Sequence, residues 1–84
     1  MKATLKLFAT LLKYLPPEAR RSSALALELE PGTSVLAVIQ RQGLPPEQCT
    51  MVLVNGVFHG PGQWEGRILE EGDVLAIWPP VGGG

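Results

Sequence analysis

At 84 residues, with seven basic and eight acidic side chains and a formal net charge of −1, the chain has room for one domain and lacks the basic stripe of a nucleic-acid binder. A chain this short buries only about 60–65% of the surface it exposes unfolded. Most of its 45% apolar residues are therefore needed to close a core, which disfavours a deep walled pocket and an autonomous enzyme. The single cysteine, Cys49, excludes an internal disulfide framework and a Cys-rich metal site, so a reducing, cytoplasmic setting with no bound metal is expected. Nothing approaches the roughly 20 apolar residues of a membrane span. The N-terminus, Met1-Lys2-Ala3-Thr4-Leu5-Lys6, interleaves polar and apolar side chains where a signal peptide would be continuously apolar, so a soluble domain is expected.

In chain order, residues 2–8 alternate with period two and read as a strand. Leu5 and Leu7 share one face; Lys2, Thr4, Lys6 and Phe8 share the other. Residues 11–14 suit a short helical turn that must stop before Pro16-Pro17. Leu25, Leu27 and Leu29 alternate again and predict a second strand, closed by the Pro31-Gly32 turn. Thr33 or Ser34 can cap a helix with apolar positions Val35, Leu36, Val38 and Ile39, with Gly43 placed for a left-handed C-terminal cap and Pro45-Pro46 forbidding continuation. At two to three turns this helix must lean on a sheet. Residues 51–54 form an apolar strand, Asn55-Gly56 is a strong hairpin signal, and Val57-Phe58 begins the return. Gly60-Pro61-Gly62 breaks that strand, a loop carries Trp64 and Ile68-Leu69, Glu71-Gly72-Asp73 turns, and residues 74–78 are the last strand. The order β, β, α, β, β, β, with one main helix covering one face of a four- to five-stranded sheet, predicts an α+β roll. The boundary is read as a folded domain over residues 1–78 and a flexible tail over residues 79–84.

The ββαββ order, the Val-Leu-Val-Asn-Gly turn at residues 52–56, the Glu-Gly-Asp turn at 71–73 and the Pro-Pro-Val-Gly-Gly-Gly end together resemble the MoaD/ThiS family. That resemblance spans essentially the whole chain and implies a β-grasp, ubiquitin-like roll with a mixed sheet. The tail is its specific part. Leu7-Phe8-Ala9 and Pro79-Pro80 resemble the molybdopterin-synthase small-subunit branch, although the chain ends on three glycines where the family requires two. The resemblance implies a non-enzymatic carrier that binds no cofactor itself. An E1-like enzyme would use ATP to adenylate Gly84, and a sulfur donor would then convert the adenylate to a thiocarboxylate. The implied partners are that enzyme and a molybdopterin-synthase large-subunit-like acceptor, with neither nucleic acid nor membrane involved.

Glycine suits such chemistry. Lacking Cβ, Gly82, Gly83 and Gly84 can thread a narrow channel and leave the acyl carbon open to attack. Pro79 and Pro80 stiffen the base of the tail toward polyproline II, lowering the entropy lost on capture. Six residues, ending Val81-Gly82-Gly83-Gly84, reach about 20 Å at most, enough to enter another protein's active site from a docked body.

Two packings are open for the aromatics of the last strand. If Leu75 and Ile77 face the helix, Phe8 and Trp78 lie on the uncovered face and form a docking patch continuous with Pro79, Pro80, Val81 and Gly82. Alternatively Trp78 tucks beneath the loop that holds Trp64. His59 reads as an exposed hairpin residue, Cys49 as a small buried hydrophobe, and Arg20-Arg21 as a solvated bend. Beside sulfur carriage for a pterin cofactor stand three alternatives: a carrier for thiamin or tRNA thiolation, a modifier joined to substrate lysines by isopeptide bonds, and an interaction module with an idle tail.

Overall fold

The computed structural model describes residues 1–80; residues 81–84, which carry the expected chemical end and part of the expected docking tail, lie outside the described residues. Five strands form one mixed sheet: β1 (Lys2–Leu7), β2 (Ala24–Glu28), β3 (Met51–Val54), β4 (Val57–Phe58) and β5 (Val74–Trp78), in the order β2-β1-β5-β3-β4. The first two strands pair as an antiparallel hairpin, as their order in the chain suggests. β5 is parallel to β1 and antiparallel to β3, so the last strand enters the middle of the sheet. A one-turn helix, α1 (Pro17–Arg20), and the main helix, α2 (Val35–Arg41), complete the fold with three short 3-10 turns at Ala9–Tyr14, Pro46–Gln48 and Pro61–Gln63. This is the β-grasp roll.

Helix α2 forms for reasons visible locally. The Ser34 hydroxyl accepts the Ala37 amide at 3.0 Å, satisfying one of the orphan donors of the first turn. At the other end Gly43 takes φ +72°, its amide donates to the Gln40 carbonyl, and the Leu44 amide reaches back to the Ile39 carbonyl at 3.0 Å. That pair of bonds is a Schellman cap, and the buried Leu44 supplies its apolar contact. Val35, Val38 and Ile39 face the sheet and are fully buried against Leu5, Leu7, Val52, Val54, Leu75 and Ile77. Leu27 and Leu29 join the same core, as do Leu11, Leu15, Ala19, Trp64 and Leu69 from the connections. The one-sided roll therefore has a single core, on the helix face.

The segment Pro17–Arg20 differs from the sequence reading. Pro17 starts a helical turn, since proline at the first helical position loses no needed donor. Arg20, expected in a solvated bend, ends that turn and ties it back: its Nε donates to the Leu15 carbonyl at 3.0 Å and its Nη2 to the Lys13 carbonyl at 3.1 Å. Proline likewise starts the turns at residues 46 and 61.

A polar clamp fixes the β3–β4 hairpin to the start of β5. Asn55 and Gly56 both have positive φ, +51° and +84°, the pattern of a two-residue turn matched to strand twist. The Asn55 amide donates to the Val74 carbonyl, and its side-chain oxygen accepts the Val74 amide, both at 2.9 Å. Its Nδ2 donates to Asp73 Oδ1 at 2.9 Å, while Asp73 Oδ2 accepts the Glu70 amide at 2.8 Å and Arg67 Nη2 at 3.3 Å. Burial pushes the Asp73 carboxyl upward, but the Asn55 and Glu70 hydrogen bonds and the Arg67 charge outweigh it and hold the group below its ordinary value of 3.8. A depressed folded pKa stabilises the fold above the unfolded value, and that stability is lost as pH falls through the folded one. Asp73→Asn should therefore cost about 1–3 kcal/mol at pH 7 in urea unfolding, by leaving buried donors unpaired. The gap from the parent should shrink as the pH is lowered below the ordinary carboxylate range; a gap constant with pH would remove the charge from this account.

Candidate functional site

Period two and register together build the face opposite α2. Residues alternate across each strand, and the pairing aligns them in rows. At the end where β5 finishes, Met51 lies opposite Trp78, and Phe8 directly follows Leu7, the partner of Ile77. The Phe8 and Trp78 rings stack, with centroids 4.1 Å apart and planes within 5° of parallel. Such a pair contributes about 0.5–1.5 kcal/mol beyond its burial. Both rings remain partly exposed, and Met51 is 48% exposed. The next row, across all five strands, is Ala24, Lys6, Ala76, Leu53 and Phe58; the third holds Ala26, Thr4 and Val74. Phe58 is 56% exposed at the β4 edge.

Of the two packings open for Trp78, the structure places its ring against Phe8 on the open face and not beneath the loop that holds Trp64. Trp64 lies in the main core, 3% exposed, with its Nε1 donating to the His59 carbonyl at 3.0 Å, and the ring partner of Trp78 is Phe8. Pro79 is buried and Pro80 exposed, neither in regular structure, so the packed body retains Pro79. The Thr50 amide donates to the Trp78 carbonyl at 3.0 Å, which ties the end of β5 to the lead-in of β3. Gly82, Gly83, Gly84 and Val81 lie outside the described residues.

Met51, Leu53, Phe58 and Lys6 belong to this face and are missing from the docking set read from sequence. The signal for Phe58 was present, because a two-residue Asn-Gly turn pairs residue 53 with 58 and so sets its face. Met51 and Leu53 needed the β3–β5 register.

Two other candidates were Cys49 and His59. Cys49 is buried, and burial together with the Glu47 charge pushes its thiol up to about 11, so it stays protonated and unreactive. His59 sits at the end of β4 with Nδ1 2.9 Å from the Val57 carbonyl. Among the described residues, no three His, Cys, Asp or Glu side chains gather to hold a metal ion, and no helix is long and apolar enough to cross a membrane. A surface groove lined by Glu28, Leu29, Glu30, Thr33, Ala37 and Arg41 lies at the opposite end of the sheet from Trp78, and its Arg41 is engaged by the Glu28 carbonyl at 3.3 Å.

A five-stranded mixed sheet packed on one main helix, with its other face left open, defines a β-grasp, ubiquitin-like protein. The ThiS family matches residues 6–84, nearly the whole chain, and the protein belongs to that family. The fold is similar to the crystal structure of SAMP1 from Haloferax volcanii, with a TM-score of 0.68 and 24% sequence identity over 100% of both chains. No curated protein matches the chain.

Proposed function

We propose that the chain is a sulfur carrier for molybdopterin biosynthesis, loaded at Gly84. An E1-like enzyme joins the Gly84 carboxylate to AMP, releasing pyrophosphate from ATP. A sulfur nucleophile then attacks the acyl carbon and AMP leaves, giving a thiocarboxylate that donates sulfur inside a larger synthase subunit. The chain is the co-substrate: it supplies no general acid or base, only the acyl group and the surface that presents it. The observation that carries the reading is the position of the Phe8–Trp78–Met51 row at the end of β5, immediately before Pro79-Pro80-Val81-Gly82-Gly83-Gly84. Docking surface and delivered end thus adjoin. The pterin assignment rests on Leu7-Phe8-Ala9 and Pro79-Pro80, which resemble the molybdopterin-synthase branch.

Intact mass after incubation with the activating enzyme, ATP and sulfide tests it. The expected product has one oxygen replaced by sulfur at its C-terminus. Larger isopeptide-linked species would establish the modifier reading instead, and an unchanged mass would overturn both.

The patch has its own test. Phe8→Asp or Trp78→Asp should weaken binding to the activating enzyme by about 2 kcal/mol or more, as for an interface hot spot, while the melting temperature moves much less. Titration calorimetry beside a melting curve decides it. Unfolding without a specific loss of binding would leave the stack a purely structural device.

A further inference from the structure

The two edges of the sheet are not alike. β4 is two residues long and Gly60-Pro61 follows close behind, so it has little backbone to pair. β2 presents five extended residues with no proline, lysine or break in register among them. Its phase is set by the Leu7 amide, which donates to the Ser23 carbonyl at 3.1 Å, and the Leu29 amide, which donates to the Met1 carbonyl at 2.8 Å. Residues 23, 25, 27 and 29 therefore turn their backbone groups to β1, and Ala24, Ala26 and Glu28 turn theirs outward. Side chains reach two of the outward carbonyls: Ser22 Oγ donates to that of Ala24 at 3.4 Å, and Arg41 Nη1 to that of Glu28 at 3.3 Å. Among the described residues no group bonds the Ala26 carbonyl or the three outward amides. Ala26 itself is exposed.

We infer that β2 pairs with β2 of a second copy, antiparallel about a two-fold axis through Ala26. The strand carries its own complement. Centred there, Ala24 lies opposite Glu28 of the other copy, and Leu25, half-buried in the single chain, lies opposite Leu27. Every outward amide and carbonyl gains a backbone partner, the Ala24 and Glu28 carbonyls through their second lone pairs, and no like charges face each other. The flanks choose this direction. Arg20-Arg21 precede the strand while Glu28 and Glu30 end it, all four exposed. Antiparallel pairing sets the basic end of each copy beside the acidic end of the other, where a parallel pairing would set like beside like. The contact closes at two copies because it uses up the long edge of each. Two five-stranded sheets become one, and because β5 is parallel to β1 the last strands of the two copies run in opposite directions. The pairing uses none of the residues on which the sulfur-carrier reading rests.

Sedimentation equilibrium of the full chain reads the pairing. One strand pair is a small interface, so the mass should climb from 9.0 kDa toward twice that only between about 10 µM and about 1 mM. Residue 26 faces itself across the axis. Ala26→Lys and Ala26→Glu should therefore each weaken association by on the order of tenfold or more through like-charge repulsion, while melting like the dilute parent. An equimolar mixture of the two variants should dimerise at least as well as the parent, because lysine then faces glutamate. Amide hydrogen exchange gives a reading without substitution: the Ala24, Ala26 and Glu28 amides should be protected in the concentrated parent and not in the dilute one. A parent that stays at 9.0 kDa up to about 1 mM would overturn the inference and leave the edge to a different chain. A dimer that neither variant weakens, or that the mixture fails to restore, would put the contact elsewhere and overturn it equally.

Discussion

Removing Gly83 and Gly84 should abolish ATP-dependent activation and leave thermal unfolding where it was. The two expectations come from different parts of the molecule. Activation needs a terminal carboxylate that can pass a narrow channel, and the shortened chain ends two residues, about 7 Å, further back toward the body. Folding needs the core, and all of its members lie between Ala3 and Ile77. The last core-side residue of β5, Ile77, is fully buried, and Pro79 is the last buried residue described. Pyrophosphate exchange and a melting curve on the same sample measure both. Equal loss of activation and stability would mean that the glycines are part of the packed body. Continued adenylation at Gly82 would show that the extra glycines are dispensable.

Ile39→Ala should be strongly destabilising, costing on the order of 2–5 kcal/mol. Ile39 is fully buried on α2, in the same core as Leu5, Leu7, Val52 and Ile77, which are fully buried too. A site enclosed on every side cannot collapse to fill the space, so the cavity contribution adds to the lost transfer energy. The backbone cap at Leu44 is untouched by the change, because it uses the Ile39 carbonyl. Leu27→Ala should cost less within the same range: Leu27 is on the edge strand β2 and keeps 6% of its surface exposed. A domain of this size has about 5–15 kcal/mol to lose, so the Ile39 variant should forfeit a large share of its stability. Urea unfolding checks the midpoints at a common slope. Two variants with the parent's midpoint would put both side chains outside the core.

Strand phase, the cap of α2 and the Asn-Gly hairpin were legible in the sequence because each is a local property. Leu5 and Leu7, Val52 and Val54, and Leu75 and Ile77 take the inward face that their period-two spacing predicts. Ser34 and Gly43 act where residue chemistry places a cap. The same parity put Phe8 and Trp78 outward, yet alternation along one strand says nothing about which strand lies beside it. Whether Trp78 met Phe8 or Trp64 was decided by β5 entering the sheet between β1 and β3, a pairing of segments about 70 residues apart. That choice depends on the whole core closing, because β5 is the strand that joins the β1–β2 and β3–β4 hairpins into one sheet. The clamp of Asn55, Asp73 and Arg67 belongs to the same closure: each residue alone reads as turn or surface, and only the packed state brings them within hydrogen-bond reach.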